Sequence, residues 1–160
     1  MFGFGKKNSA ENGLVSAANG TVVTVDLLPD EVFAAKVLGD GYAVEPTSGT
    51  IVAPAGGKII DIQDTNHAYC IQTKDGLEIL VHIGIDTVAM KGDGFKPLVK
   101  TGDKVRAGQP LCESDLDKIR GAGYSTFTVV LITNIDDVKG IDVNCGEAKA
   151  GETVVLTYDK

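Results

Sequence analysis

A chain of 160 residues that is 43% apolar is enough for one domain with a real core, and with 6% aromatic residues and no tryptophan, valine and isoleucine have to fill that core. The net charge of -7 argues against general nucleic-acid binding and suits a soluble protein that docks on basic partner surfaces. Cys70, Cys112 and Cys145 are odd in number, far apart and outside any CxxC, which argues against a disulfide framework or zinc knuckle and for a reduced, cytoplasmic setting.

The 20 glycines and the short apolar runs favour an all-β domain with tight turns: an antiparallel β-sandwich or flattened barrel with short helical turns. Residues 1–18 are small, polar and glycine-rich and read as a flexible leader, with 19–160 as the domain. Within the leader, Phe2 and Phe4 ahead of Lys6 and Lys7 make either a loose tail or a weak foothold at a membrane surface. No stretch approaches the roughly 20 apolar residues of a membrane-spanning helix.

The first strand is expected at 21–25. Residues 26–33, with Pro29 inside, read as a turn or short helical piece started by Asp30 as cap; Val32, Phe33 and Val37 are either core or an exposed apolar rim. Turn, strand, turn follows over 39–46, then two strands about a Pro/Gly turn over 49–62. Segments 53–59 and 102–108 each set a turn beside a short β run, a hint of internal symmetry. Ser114 is expected to cap a helix carrying Leu116 and Ile119, residues 124–134 hold a strand apolar on both faces, and 154–157 close the sheet.

The central piece is a hairpin. In residues 77–86, Leu77, Ile79, Val81, Ile83 and Ile85 fall on one face by period two, and Glu78, Leu80, His82 and Gly84 on the other. A second strand at 68–73 precedes it, with Asp75-Gly76 as the turn signal. An even loop, 73–76, puts Gln72 opposite Leu77 and His67 opposite His82, with Cβ atoms roughly 5 Å apart. A three-residue loop shifts the register by one and sends the two imidazoles to opposite faces. We expect the even loop, which is taken to keep Ile71 in line with the buried row.

His67 and His82 are the chain's only histidines. A neutral imidazole is a competent nucleophile near neutral pH, provided its second nitrogen holds the proton against a carbonyl or hydroxyl. Phosphoryl transfer needs in-line positioning and donors to the equatorial oxygens, and a second imidazole can be such a donor. Thr65, two residues before His67, is placed to orient that ring, and Leu80 beside His82 keeps the face dry. The residues also allow a two-histidine metal site with Asp86 as third ligand, although Asp86 is four positions from His82 along the strand. A third reading takes Ala89-Met90-Lys91 as the lysine turn of a biotinyl or lipoyl carrier domain.

An ordered set of landmarks is more specific than any of these. Asp30 to Phe33 with Gly39-Asp40-Gly41, Val52-Ala53-Pro54, Thr65-Asn66-His67-Ala68, Val81-His82-Ile83-Gly84-Ile85-Asp86-Thr87-Val88 and Lys91-Gly92-Asp93-Gly94-Phe95 run through the chain. With them the sequence resembles the glucose-family enzyme IIA of the bacterial phosphoenolpyruvate-dependent sugar phosphotransferase system. The resemblance implies a β-sandwich phosphocarrier without metal or organic cofactor. It implies that His82 is phosphorylated on Nε2, that His67 stabilises the phosphoryl group and that Thr65 orients His67. It implies a partner-binding face of Asp30, Asp86, Val32, Phe33, Val37 and Leu80. The implied donor is the phosphocarrier HPr, and the implied acceptor is the IIB domain of a sugar permease. Glu31, Leu80 and Cys70 depart from the more apolar or aromatic residues of some members, which bears on partner preference rather than chemistry.

Overall fold

Val129, Val130, Leu131 and Ile132 are all fully buried, so the strand that carries them needs apolar cover on both faces. The computed structural model, which describes residues 13–160, shows how that cover is built. In chain order the strands are β1 (Gly13–Val15), β2 (Gly20–Thr24), β3 (Asp40–Pro46), β4 (Thr50–Val52), β5 (Gly57–Ile62), β6 (Ala68–Gln72) and β7 (Glu78–Ile85). Then come β8 (Phe95–Pro97), β9 (Lys104–Val105), β10 (Pro110–Ser114), β11 (Ser125–Ile132), β12 (Gly140–Val143), β13 (Gly146–Ala148) and β14 (Val154–Asp159). Two short helices, α1 (Glu31–Ala34) and α2 (Leu116–Gly121), interrupt them.

All the strand pairs are antiparallel. Eight strands form one sheet in the order β13-β2-β3-β11-β7-β6-β5-β9, and two three-stranded sheets, β1-β14-β12 and β4-β10-β8, accompany it. The fold is therefore a sandwich; the large sheet stays open, with β13 and β9 at its edges, and no barrel closes. Tyr42, Val44, Ile71, Ile79, Val81, Ile83, Val130 and Ile132 from the large sheet share one buried cluster with Leu14, Ile51, Leu111 and Leu156 from the small ones. The opposite face of the large sheet carries a smaller cluster, in which Ala43, Val129 and Leu131 are capped by Val25, Leu28 and Phe33.

Three expectations need correction. The leader does not run to residue 18: Gly13–Val15 pairs with β14, and Leu14, Ala17 and Ala18 are core. The buried Tyr42 hydroxyl pins this segment by donating to the Val15 carbonyl and accepting from the Ala17 amide. Phe2, Phe4, Lys6 and Lys7 lie outside the described residues. The cap of α2 is Asp115, which accepts from the Lys118 amide at 3.0 Å, while Ser114 ends β10. The third is the hairpin register. Thr73 and Leu77 close a loop of Lys74, Asp75 and Gly76, with Gly76 at φ 92, so Gln72 faces Glu78 and Ala68 faces His82. This three-residue turn with glycine in the left-handed position is a common hairpin solution. It also pairs Ile71 with Ile79 in the buried row, which the even loop could not do.

The strands expected within 49–62 belong to different sheets, because β4 pairs with β10 and β5 with β6 and β9. The two similar segments at 53–59 and 102–108 lie side by side: Gly57 faces Val105 and Lys58 faces Lys104.

Candidate functional site

An alternating strand can hold only one of two neighbours on a given face, so a regular ladder with this register would turn His67 inward opposite Ile83. The imidazoles meet nonetheless. His67 stands one residue before β6 begins, after Asn66 at φ 60, and so escapes the alternation of the strand. Its carbonyl still accepts from the Ile83 amide at 2.7 Å, which fixes its backbone beside β7. The ring centroids of His67 and His82 are 4.8 Å apart and nearly perpendicular, at 86°.

Each ring is tied through Nδ1. His82 Nδ1 lies 2.8 Å from the Gly84 carbonyl oxygen, an acceptor only, so Nδ1 carries the proton and Nε2 keeps its lone pair. His67 Nδ1 lies 2.6 Å from the Thr65 hydroxyl. The Gly84 carbonyl reaches back because Gly84 has φ 78, a region closed to other residues without strain. A Cβ there would come within 2.4 Å of Thr87 Cγ2. The same bend ends the alternation of β7: Ile85, expected in the main core row, joins the smaller cluster on the other face.

Burial holds both imidazoles below their ordinary range. It takes His67 down to about 4, with the neighbouring His82 adding to the effect. For His82 burial again dominates, against the Gly84 carbonyl and the charges of Asp30 and Asp86, which favour the proton. Two neutral rings at neutral pH are what a nucleophile and a neutral donor require.

The other expected site residues divide. Asp30 caps α1, accepting from the Phe33 amide at 3.0 Å. Asp86, exposed and at φ 64, begins the turn after β7. Phe33 is not a surface residue but 6% exposed, and its ring edge meets His82 with centroids 5.2 Å apart. Leu80 is half-buried on the His82 face, whereas Val32 and Val37 are exposed at 49% and 70%. A residue at the site that the sequence does not mark as such is Phe95, whose ring lies 6.4 Å from that of His67; Leu27, Leu38 and Val88 are further exposed apolar side chains. Only the Gly94-Phe95 pair after a turn hinted at the first, and nothing local marks the others. Among the described residues no group of three or more His, Cys, Asp or Glu gathers as a metal-binding set, so Asp86 does not complete one with the histidines. Lys91 ends a 3-10 turn, Thr87–Met90, rather than standing at a hairpin tip. No helix among the described residues is long and apolar enough to cross a membrane.

Residues 12–138 match the family model of the phosphoenolpyruvate-dependent sugar phosphotransferase system, EIIA 1. The chain belongs to this family. It is 43% identical, over 98% of its length and 95% of the relative's, to the glucose-specific EIIA component of Halalkalibacterium halodurans. It is 50% identical over 92% of its length to the N-acetylglucosamine-specific EIICBA component of Escherichia coli, of which it spans only 23%. The glucose permease IIA of Mycoplasma capricolum has the same fold, with a TM-score of 0.85 at 39% identity over 90% of this chain and 94% of that one. As an EIIA component, the protein is a phosphocarrier of the sugar phosphotransferase system.

Proposed function

We propose that His82 Nε2 accepts a phosphoryl group from phospho-HPr and passes it to the IIB domain of a sugar permease, on the cytoplasmic side of the membrane. The observation that carries this reading is the 2.8 Å contact from His82 Nδ1 to the Gly84 carbonyl, with the His67 ring 4.8 Å away. The lone pair on Nε2 attacks phosphorus in line as the donor's bond to phosphorus breaks and the donor atom keeps that electron pair. The Nδ1 proton stays where it is, so no base is needed, and the reverse movement delivers the group to IIB.

His67 steadies the transferred group. With the Thr65 hydroxyl donating to Nδ1, the remaining ring proton sits on Nε2 and points a donor at a phosphoryl oxygen. Two negative charges arriving beside His67 oppose the effect of burial and favour its protonation. The exposed Val32 and Val37 with half-buried Leu80 form the dry part of the docking face, and Asp30 and Asp86 form its acidic part. Phe33 acts from beneath, holding the His82 ring.

The test is incubation with phosphoenolpyruvate, enzyme I and HPr, followed by mapping of the label. An acid-labile, base-stable phosphate on His82 that moves to IIB is the expected result. Label on another residue, or undiminished label on His82→Ala, overturns the reading.

A further inference from the structure

We infer that Thr87 is a positioning residue for phosphoryl transfer: its buried hydroxyl keeps His82 in the tautomer that leaves Nε2 free. The inference rests on the reading of His82 as the phosphorylated residue.

Among the described residues, the Gly84 carbonyl is the acceptor that fixes the proton of His82. That carbonyl sits at a break in the β7–β11 ladder. Ser125 faces Ile85 and Thr128 faces Ile83, so Thr126 and Phe127 together stand opposite Gly84. Such a bulge leaves the local peptide planes less well held by sheet bonding. Thr87 supplies a hold instead. Fully buried, it donates from Oγ1 to the Ile83 carbonyl at 2.5 Å, and its methyl group occupies the space beside Gly84 where a Cβ would be.

Ile83 is thereby fastened at both ends. Its amide donates to the His67 carbonyl and its carbonyl accepts from Thr87. The peptide plane joining Ile83 to Gly84 has little freedom left, and it sets the direction of the next carbonyl, the one His82 uses. One hydroxyl thus orders both the acceptor of the nucleophile and the backbone of its partner ring. Without it, the Gly84 carbonyl drifts from Nδ1. The proton then spends part of its time on Nε2, which removes the lone pair that attacks phosphorus.

Thr87→Val keeps the shape and deletes the donor. Expected are a roughly tenfold slower acceptance from phospho-HPr, the effect of losing one aligned hydrogen bond, and a shift of the His82 ring nitrogens toward the Nε2–H form in 15N spectra. The pair Thr87→Ser and Thr87→Ala differs by one oxygen and covers the case in which the valine variant does not fold: serine should retain rate and tautomer within about twofold, and alanine should lose both. A serine variant as slow as the alanine one, or a slow variant whose nitrogen spectrum is unchanged, overturns the inference. Mapping of the label in the unsubstituted protein separates this from failure of the underlying reading, since a label away from His82 condemns that reading and not the tautomer measurement.

Discussion

The two faces of the eight-stranded sheet are built from the same kinds of residue and end in different states. On the inner face, Ile79, Val81 and Ile83 meet two further sheets and vanish from solvent. On the outer face, Val129 and Leu131 are just as buried, but their cover is only a short helix and a turn, and it reaches Leu80 and His82 at its edge, leaving both half-exposed. The difference shows how a fold makes a reactive surface from core chemistry. An apolar face is left partly roofed, so that an imidazole there loses water without losing access, and both rings stay neutral.

Substitutions on each face break the comparison in different currencies. The largest effect is expected from His82→Ala, which should abolish phosphate acceptance in a phosphorylation assay while leaving the unfolding midpoint near that of the parent. Ile79→Ala on the inner face should do the opposite: a loss of about 2–5 kcal/mol in denaturant unfolding, with acceptance per folded molecule retained. His67→Gln should still accept from HPr but deliver to IIB about tenfold more slowly, because a donor beside the phosphoryl group is altered. Normal delivery in a two-step transfer assay removes His67 from the mechanism.

The pH dependence sharpens the contrast further. His67 binds its proton less well folded than unfolded, so the unfolded chain takes up more protons below the ordinary histidine value of about 6.5. Stability should therefore be fully present above that value, fall as the pH drops, and level off below the folded value of about 4. In His67→Gln the slope of unfolding free energy over this window should shrink, and an unchanged slope argues against a buried neutral ring. The smallest effect on stability belongs to Val37→Ser at an exposed outer position, within about 0.5 kcal/mol, yet partner affinity by calorimetry should weaken.

Much of this was legible in the sequence, for identifiable reasons. The alternation of Ile79, Val81 and Ile83 and the doubly apolar run at Val129 to Ile132 mark strands wherever they lie, because burial imposes the period. Asp30 was readable as a cap because the helix it starts follows at once. The hairpin register was not readable. Even and odd loops both accept Asp75-Gly76, and the correct one is chosen by Ile71 meeting Ile79. The meeting of the two rings then depends on one left-handed residue, Asn66, a residue type that tolerates this conformation without demanding it. Ser114 and Asp115 are both good caps, and only the pull of β10 on Ser114 decides between them. Residues 13–18 were misread because small side chains such as Ala17 and Ala18 look like leader and pack like core. The weakly apolar β12 and β13 gave no signal above their neighbours.

β1 and β14 run antiparallel with Gly13 beside Thr157. The described chain thus enters and leaves at the same end of one ladder, and a pull applied to both sides of the domain peels that ladder open rung by rung instead of shearing it. In such a geometry the β1–β14 rungs take the load one at a time, ahead of the sheet that carries the two imidazoles. A tether on either side can tug at this domain without retuning its chemistry until those rungs let go.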